Sequence, residues 1–156
     1  SIILMSYDKE LYQQVILDHN RKPRNFHVIE DASHNCHGVN PLCGDDITVY
    51  LNVDEEAGKI DELSFQGSGC AICKASTSLM TAYLKGKSVD EARQIMEEFH
   101  KMILGELDPE NDEHNLGKLT LFMGIREYSS RTKCASLAWH TLIGALDKKF
   151  DGISTE

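Results

Sequence analysis

Five cysteines, Cys36, Cys43, Cys70, Cys73 and Cys134, hold most of the chemistry open to this 156-residue sequence. Cys43 lies in NPLCGDD, with Gly44 between it and Asp45. Glycine reaches backbone angles that other residues avoid, so a tight turn there can aim a thiolate and a carboxylate at one point. The plainer reading is a strand-initiating turn in which Asp45 or Asp46 satisfies backbone N–H groups. Cys70 and Cys73 lie in GSGCAICKAS, where a helical pattern begins, and Cys134 lies in SSRTKCASLAW at the start of another. A helix start offers free N–H groups and a positive dipole end, which favour thiolate over thiol. Two cysteines at helix starts and one on a glycine turn beside an aspartate make an economical metal site. Its ligands would be Cys43, Asp45, Cys70 and Cys134, three sulfurs and one oxygen.

Cys73 reads differently. On its helix it shares a stripe with Thr77, Met80 and Leu84, next to one carrying Ile72, Leu79 and Tyr83. Both stripes are largely apolar, so Cys73 packs as a small hydrophobe. A thioredoxin-like pair, Cys70 with Cys73, is the competing reading. That fold needs a proline facing the pair from a later strand, and of Pro23, Pro41 and Pro109 only Pro109 follows, in an acidic loop. A zinc deaminase would need His-x-Glu and a later Pro-Cys-x-x-Cys, which are absent, as are P-loop and dinucleotide fingerprints. Cys36 beside His37 is only suggestive, and His140 near Trp139 reads as a satisfied, partly buried histidine.

The elements that must position these residues follow from periodicity. Tyr7 to Asn20 puts Leu11, Tyr12, Val15, Ile16 and His19 at helical spacing, with Ser6 as cap and Pro23 ending the run. A polar stretch containing a short strand leads to DITVYLNVD, where Ile47, Val49, Leu51 and Val53 alternate. With KIDELSFQG it forms an antiparallel hairpin. After Gly67 and Gly69 the period turns helical, through to about Leu84, and Gly86 stops it. Ser88 and Glu91 make a capping box for a helix carrying Ala92, Ile95, Met96, Phe99, Met102 and Ile103. An acidic loop, a short helix over KLTLFMGIREY and a final helix from Cys134 complete the chain. Strands first and helices after predicts an α+β fold. About three antiparallel strands would carry helices on one face, with the metal site at one end.

Composition narrows the function. A net charge of −9 argues against nucleic acid as the main partner, because that affinity comes from basic residues neutralising phosphates. The acidic runs VDEEAGK and ELDPENDEH are solvated loops. No apolar run approaches the ~18 residues of a membrane span. The opening SIILMSYDKE lacks a basic region and a cleavage site, which places the chain in the cytoplasm. There, five cysteines mean metal or thiol chemistry rather than disulfides. Residues 1–156 read as one domain without linkers or repeats.

Taken together, NPLCGDDITVYLNVD, SFQGSGCAICKASTSLMTAYLKGKS and RTKCASLAWHTL resemble the iron–sulfur cluster scaffold family of the IscU and NifU N-terminal type. The three cysteine motifs come in that family's order, and the likeness covers nearly the whole chain. The resemblance implies that Cys43, Asp45, Cys70 and Cys134 are the metal or cluster ligands and that Cys73 is not. Two departures from the IscU branch stand out. Lys133 occupies the place of its histidine, and EYSSRTK stands where that branch has a Leu-Pro-Pro-Val-Lys chaperone motif. A longer insertion spans roughly Leu104 to Ser129. These features resemble the SufU branch, whose members bind zinc and accept sulfur from a cysteine desulfurase.

The ligand set shapes the expected mechanism. Three thiolates and a carboxylate leave a zinc complex with two negative charges, which Arg131 and Lys133 beside Cys134 could partly offset. A hard oxygen among soft sulfurs is the weak member and suits a site that must release something. Cys43, on its flexible turn, is the expected sulfur acceptor from a SufS-type desulfurase. Asp45 would keep a transient [2Fe–2S] cluster labile for delivery to apo iron–sulfur proteins or other assembly factors. The alternative is a zinc-stabilised interaction module, which would unfold without its metal.

Overall fold

The computed structural model describes residues 9–148 and 152–155, so the expected cap at Ser6 and the helix start at Tyr7 lie outside the described residues. Helix α1 (Lys9–Arg21) leads to strands β1 (His34–Asn40), β2 (Asp45–Asp54) and β3 (Lys59–Ser68). Helices α2 (Ala71–Leu84) and α3 (Val89–Ile103) follow. A 3-10 segment (Gly117–Glu127), a short 3-10 turn (Ser129–Arg131), helix α4 (Thr132–Leu146) and strand β4 (Ile153–Ser154) close the order. The sheet runs β3-β2-β1-β4. β1 with β2 and β2 with β3 are antiparallel, and β4 joins β1 in parallel.

The α+β class and the hairpin are as expected. The sheet is mixed and has four strands rather than about three antiparallel ones, because two residues beyond the last helix add to the β1 edge. Alternation does what it must on β2: Ile47, Val49 and Leu51 face inward and are buried, and Leu51 pairs with Leu63, Val49 with Phe65. β1 alternates as well, burying His34, Cys36 and Asn40.

The helices cover that inner face. Trp139 of α4 stacks on Phe99 of α3 at 4.4 Å between ring centroids, and Phe122 meets both Phe99 and Tyr12 edge-on. Trp139 Nε1 donates to Ser76 Oγ, which donates to the Ala135 carbonyl, so the polar atoms between α2 and α4 are satisfied. The capping box forms at α3: Ser88 Oγ accepts from Glu91 N, and the Glu91 carboxylate accepts from Ser88 N.

One expectation needs correction and another gains detail. The face that α1 buries is Tyr12, Ile16 and His19, while Leu11 is 50% exposed. His19 Nδ1 lies 2.7 Å from Ser78 Oγ, so the packing turns toward α2 and leaves Leu11 outside. The segment over KLTLFMGIREY is a 3-10 helix. Leu116, Leu119, Phe122 and Ile125 recur every three residues and all are fully buried, which is the period of a 3-10 helix rather than an α-helix. No described helix is long and apolar enough to cross a membrane.

Candidate metal centre

The end of β1, the start of β2, the start of α2 and the start of α4 converge at one end of the sheet. Asn40 and Asp45 face each other across the antiparallel ladder, so Pro41–Gly44 is a four-residue loop between paired residues. The Asn40 carbonyl accepts the Cys43 N–H at 3.2 Å and closes the turn. Gly44, at φ +71°, supplies the left-handed step that brings the chain back into β2. Leu42 at the tip is 79% exposed, Cys43 is half-buried and Asp45 is 2% exposed.

One ligand atom from each of Cys43, Asp45 and Cys134 lies within 4.8 Å of the other two. Cys134 Sγ is 3.1 Å from Cys43 Sγ. Cys70 adjoins the trio through Asp45. Its N–H donates to Asp45 Oδ1 at 2.8 Å, and its thiol faces Oδ2 at a loose 4.0 Å. Cys70 is the N-cap of α2, and its sulfur accepts the Cys73 N–H. Gly69 lets this happen, because a Cβ there would press against the Asp45 carboxylate. Asn40 Nδ2 reaches Asp45 Oδ2 at 3.4 Å and Cys134 Sγ at 3.6 Å.

The electrostatics differ from the helix-start expectation at one cysteine. Cys134 is the third residue of α4 and fully buried, and burial pushes its thiol well up. Its hydrogen bond with Cys43 and the nearby Cys70 and Asp45 push in the same direction. In the protein without metal, desolvation therefore outweighs the helix dipole at Cys134. A metal ion inverts that balance, since a coordinating thiol is deprotonated outright.

The two cations flanking Cys134 part company. Arg131 lies against the cysteines: a hydrogen bond to Cys134, and then the charges of Cys70, Cys134 and Cys43, hold its guanidinium more firmly protonated. It lines a groove with Cys70, Ile72 and Tyr128. Lys133 lines a separate cleft with His100 and His140. Cys73 is fully buried, and desolvation pushes its thiol far up, so the Cys-x-x-Cys pair has one accessible sulfur. Cys36 is buried beneath α4, where a side chain at Gly144 would run into its sulfur. Sequence reasoning missed Asn40. Its signal was the inward alternation of β1, legible only once His34–Asn40 is taken as a full strand.

Residues 11–135 match the NifU-like N-terminal domain. The chain belongs to this family. It is 39% identical over 140 residues to the iron–sulfur cluster assembly scaffold protein IscU of Thermotoga maritima, covering 90% of this chain and 95% of that protein. It is 35% identical to the zinc-dependent sulfurtransferase SufU of Bacillus subtilis, covering 91% and 93%. Its fold is similar to the crystal structure of a SUF-system scaffold protein from Fervidobacterium islandicum, with TM-score 0.79 and 34% identity over 89% of this chain and 99% of that one. Family members thus carry both names, IscU and SufU, at comparable similarity.

Proposed function

We propose that this protein binds zinc through Cys43, Asp45, Cys70 and Cys134 and takes up sulfur from a cysteine desulfurase for iron–sulfur cluster assembly. The observation that carries this is the buried convergence of Cys43, Asp45 and Cys134 within 4.8 Å, with Cys70 on the same carboxylate. The donor chemistry fits zinc, which takes thiolates and carboxylates in a four-coordinate shell. Zinc would supply a positive centre that keeps buried thiols in their anionic form.

The residues divide the work by mobility. Cys70 is held by the α2 cap, Cys134 is buried in α4, and Asp45 is anchored by the Cys70 N–H. Cys43 is half-buried on the loop whose tip carries exposed Leu42. Cys43 is the acceptor. Its thiolate attacks the outer sulfur of the desulfurase persulfide, a new S–S bond forms on Cys43, and the desulfurase cysteine leaves as thiolate. Arg131 beside the sulfurs offsets part of the charge on the site.

The SufU-like reading is favoured over the IscU-like one by Lys133. It stands just before Cys134, where the IscU branch carries a histidine, and it lines the cleft with His100 and His140. A transient [2Fe–2S] cluster on the same four residues remains the second reading, supported by Asp45 as the one oxygen donor. The protein acts in the cytoplasm, with apo iron–sulfur proteins or other assembly factors downstream.

Intact-mass spectrometry of the zinc-loaded protein after incubation with an active cysteine desulfurase and cysteine tests the reading. The expected result is added sulfur mass that is lost on reduction and absent from Cys43→Ala. Full sulfur uptake by Cys43→Ala would remove the acceptor role, and no uptake by the parent would remove the sulfur-acceptor function.

A further inference from the structure

Asn40 is 1% exposed, and its side chain lies against two of the proposed ligands. Its amide nitrogen faces a carboxylate oxygen and a sulfur, both acceptors, while its Oδ1 is buried with no hydrogen-bond partner. Turned over, the amide would set its oxygen against the Asp45 carboxylate, so one orientation is strongly preferred. A buried carbonyl without a donor is costly, and a leucine of similar shape would avoid that cost. The amide therefore contributes at its nitrogen end. No main-chain role explains this, since the β1–β2 ladder is made by the backbone.

We propose that Asn40 is a positioning residue for the metal site, whose N–H groups draw charge from Cys134 Sγ and Asp45 Oδ2 and hold both in ligating geometry. The proposal rests on the zinc-site reading above. Ligands of a metal are oriented and tuned by the groups that hydrogen-bond to them, and losing such a group commonly costs about 10- to 100-fold in metal affinity. A site built from three thiolates and a carboxylate carries excess negative charge, and Asn40 relieves it from the buried side as Arg131 does from the exposed side. The relief falls on Cys134 and Asp45. Cys43 meets no amide donor in this network and is left as the more electron-rich, more nucleophilic sulfur.

Two variants test this, each compared with the parent by zinc competition titration, by the thiolate-to-cobalt charge-transfer band of the Co2+ form, and by melting of the metal-free protein. Asn40→Leu keeps the volume and removes the donor. It is expected to weaken zinc about 10- to 100-fold and to move the cobalt band to longer wavelength, while the metal-free protein melts no lower than the parent. Asn40→Asp keeps the shape but reverses the hydrogen-bonding character, and is expected to weaken zinc further. Variants that match the parent in affinity and band position overturn the proposal. So does an affinity loss that tracks lower melting with the band unmoved, which is the mark of a purely structural residue. A parent that binds neither ion overturns the zinc reading itself, a result distinct from either.

Discussion

At the scale of single residues, the four proposed ligands could be named from sequence because each sits at a punctuation mark: a glycine turn, a helix start, a second helix start. What sequence could not convey is their inequality. Cys134 is fully buried and Cys43 half-buried, although both lie beside polar loops. Burial depends on what packs above, and that is not local. The 3.1 Å approach of Cys43 and Cys134 gives a direct check. Mild oxidation of the metal-free protein with diamide is expected to join Cys43 to Cys134 in peptide mapping, since these sulfurs meet while Cys73 is sealed in the core. A Cys70–Cys73 bridge would reinstate the redox-pair reading. Asn40 escaped notice for a different reason. An asparagine before a proline reads as a turn former, and its second identity as an inward residue of β1 depends on a strand with weak β-propensity, HNCHGVN.

At the scale of elements, legibility followed periodicity. The β2–β3 hairpin, α2, α3 with its capping box, and the start of α4 all announce themselves by spacing, and each is present. Strand β4 is two residues long and, among the described residues, pairs only with β1, too short for any pattern to register. The sequence predicts a short helix over the 3-10 segment but not its type, because its leucines and phenylalanine fit either period over so few turns. The period matters for stability, since it lines Leu116, Leu119, Phe122 and Ile125 along one buried edge. Phe122→Ala is expected to destabilise the fold by about 3–5 kcal/mol, read as a lower urea midpoint with unchanged slope. A cost under about 1 kcal/mol would mean that this segment is peripheral to the core. At α3, Ser88→Ala removes one half of a complete capping box and is expected to cost about 1 kcal/mol by the same measurement.

At the scale of the molecule, the largest buried side chains are aromatic and aliphatic rather than metal-ligating. Trp139, Phe65, Phe99 and Phe122 are buried side chains drawn from α4, β3, α3 and the 3-10 segment. Chelation of zinc is therefore expected to leave the far-ultraviolet circular dichroism intact while lowering the melting temperature; collapse to an unfolded spectrum would favour the structural zinc module. Acid should act on the whole molecule through its histidines. Burial holds His19 and His140 below their ordinary 6.5, with Arg24 adding at His19 and His100 at His140. Below 6.5 the unfolded chain takes up protons that these folded sites resist. Stability is thus full above that value and declines as pH falls through it. Urea midpoints at pH 7.5 and 5.5 should show the drop, and His140→Gln should lessen it; an unchanged drop would assign it elsewhere. The antiparallel part of the sheet, the helices on its inner face and the placing of the centre at one end were legible in outline. The fourth strand and the partition of Arg131 and Lys133 between two surfaces were not, because both depend on how α4 lies across β1.

The Pro41–Gly44 loop has one more consequence, which concerns reach. Its two ends are pinned opposite each other by the ladder, and Cys43 is two residues from Asp45. Two residues extend to about 7 Å at most. Cys43 is on a short leash: once released from its neighbours it can travel little more than its own diameter beyond the surface. Under the proposed function, a sulfur donor must therefore do the travelling, carrying its reactive atom on an arm long enough to arrive at the mouth of the site.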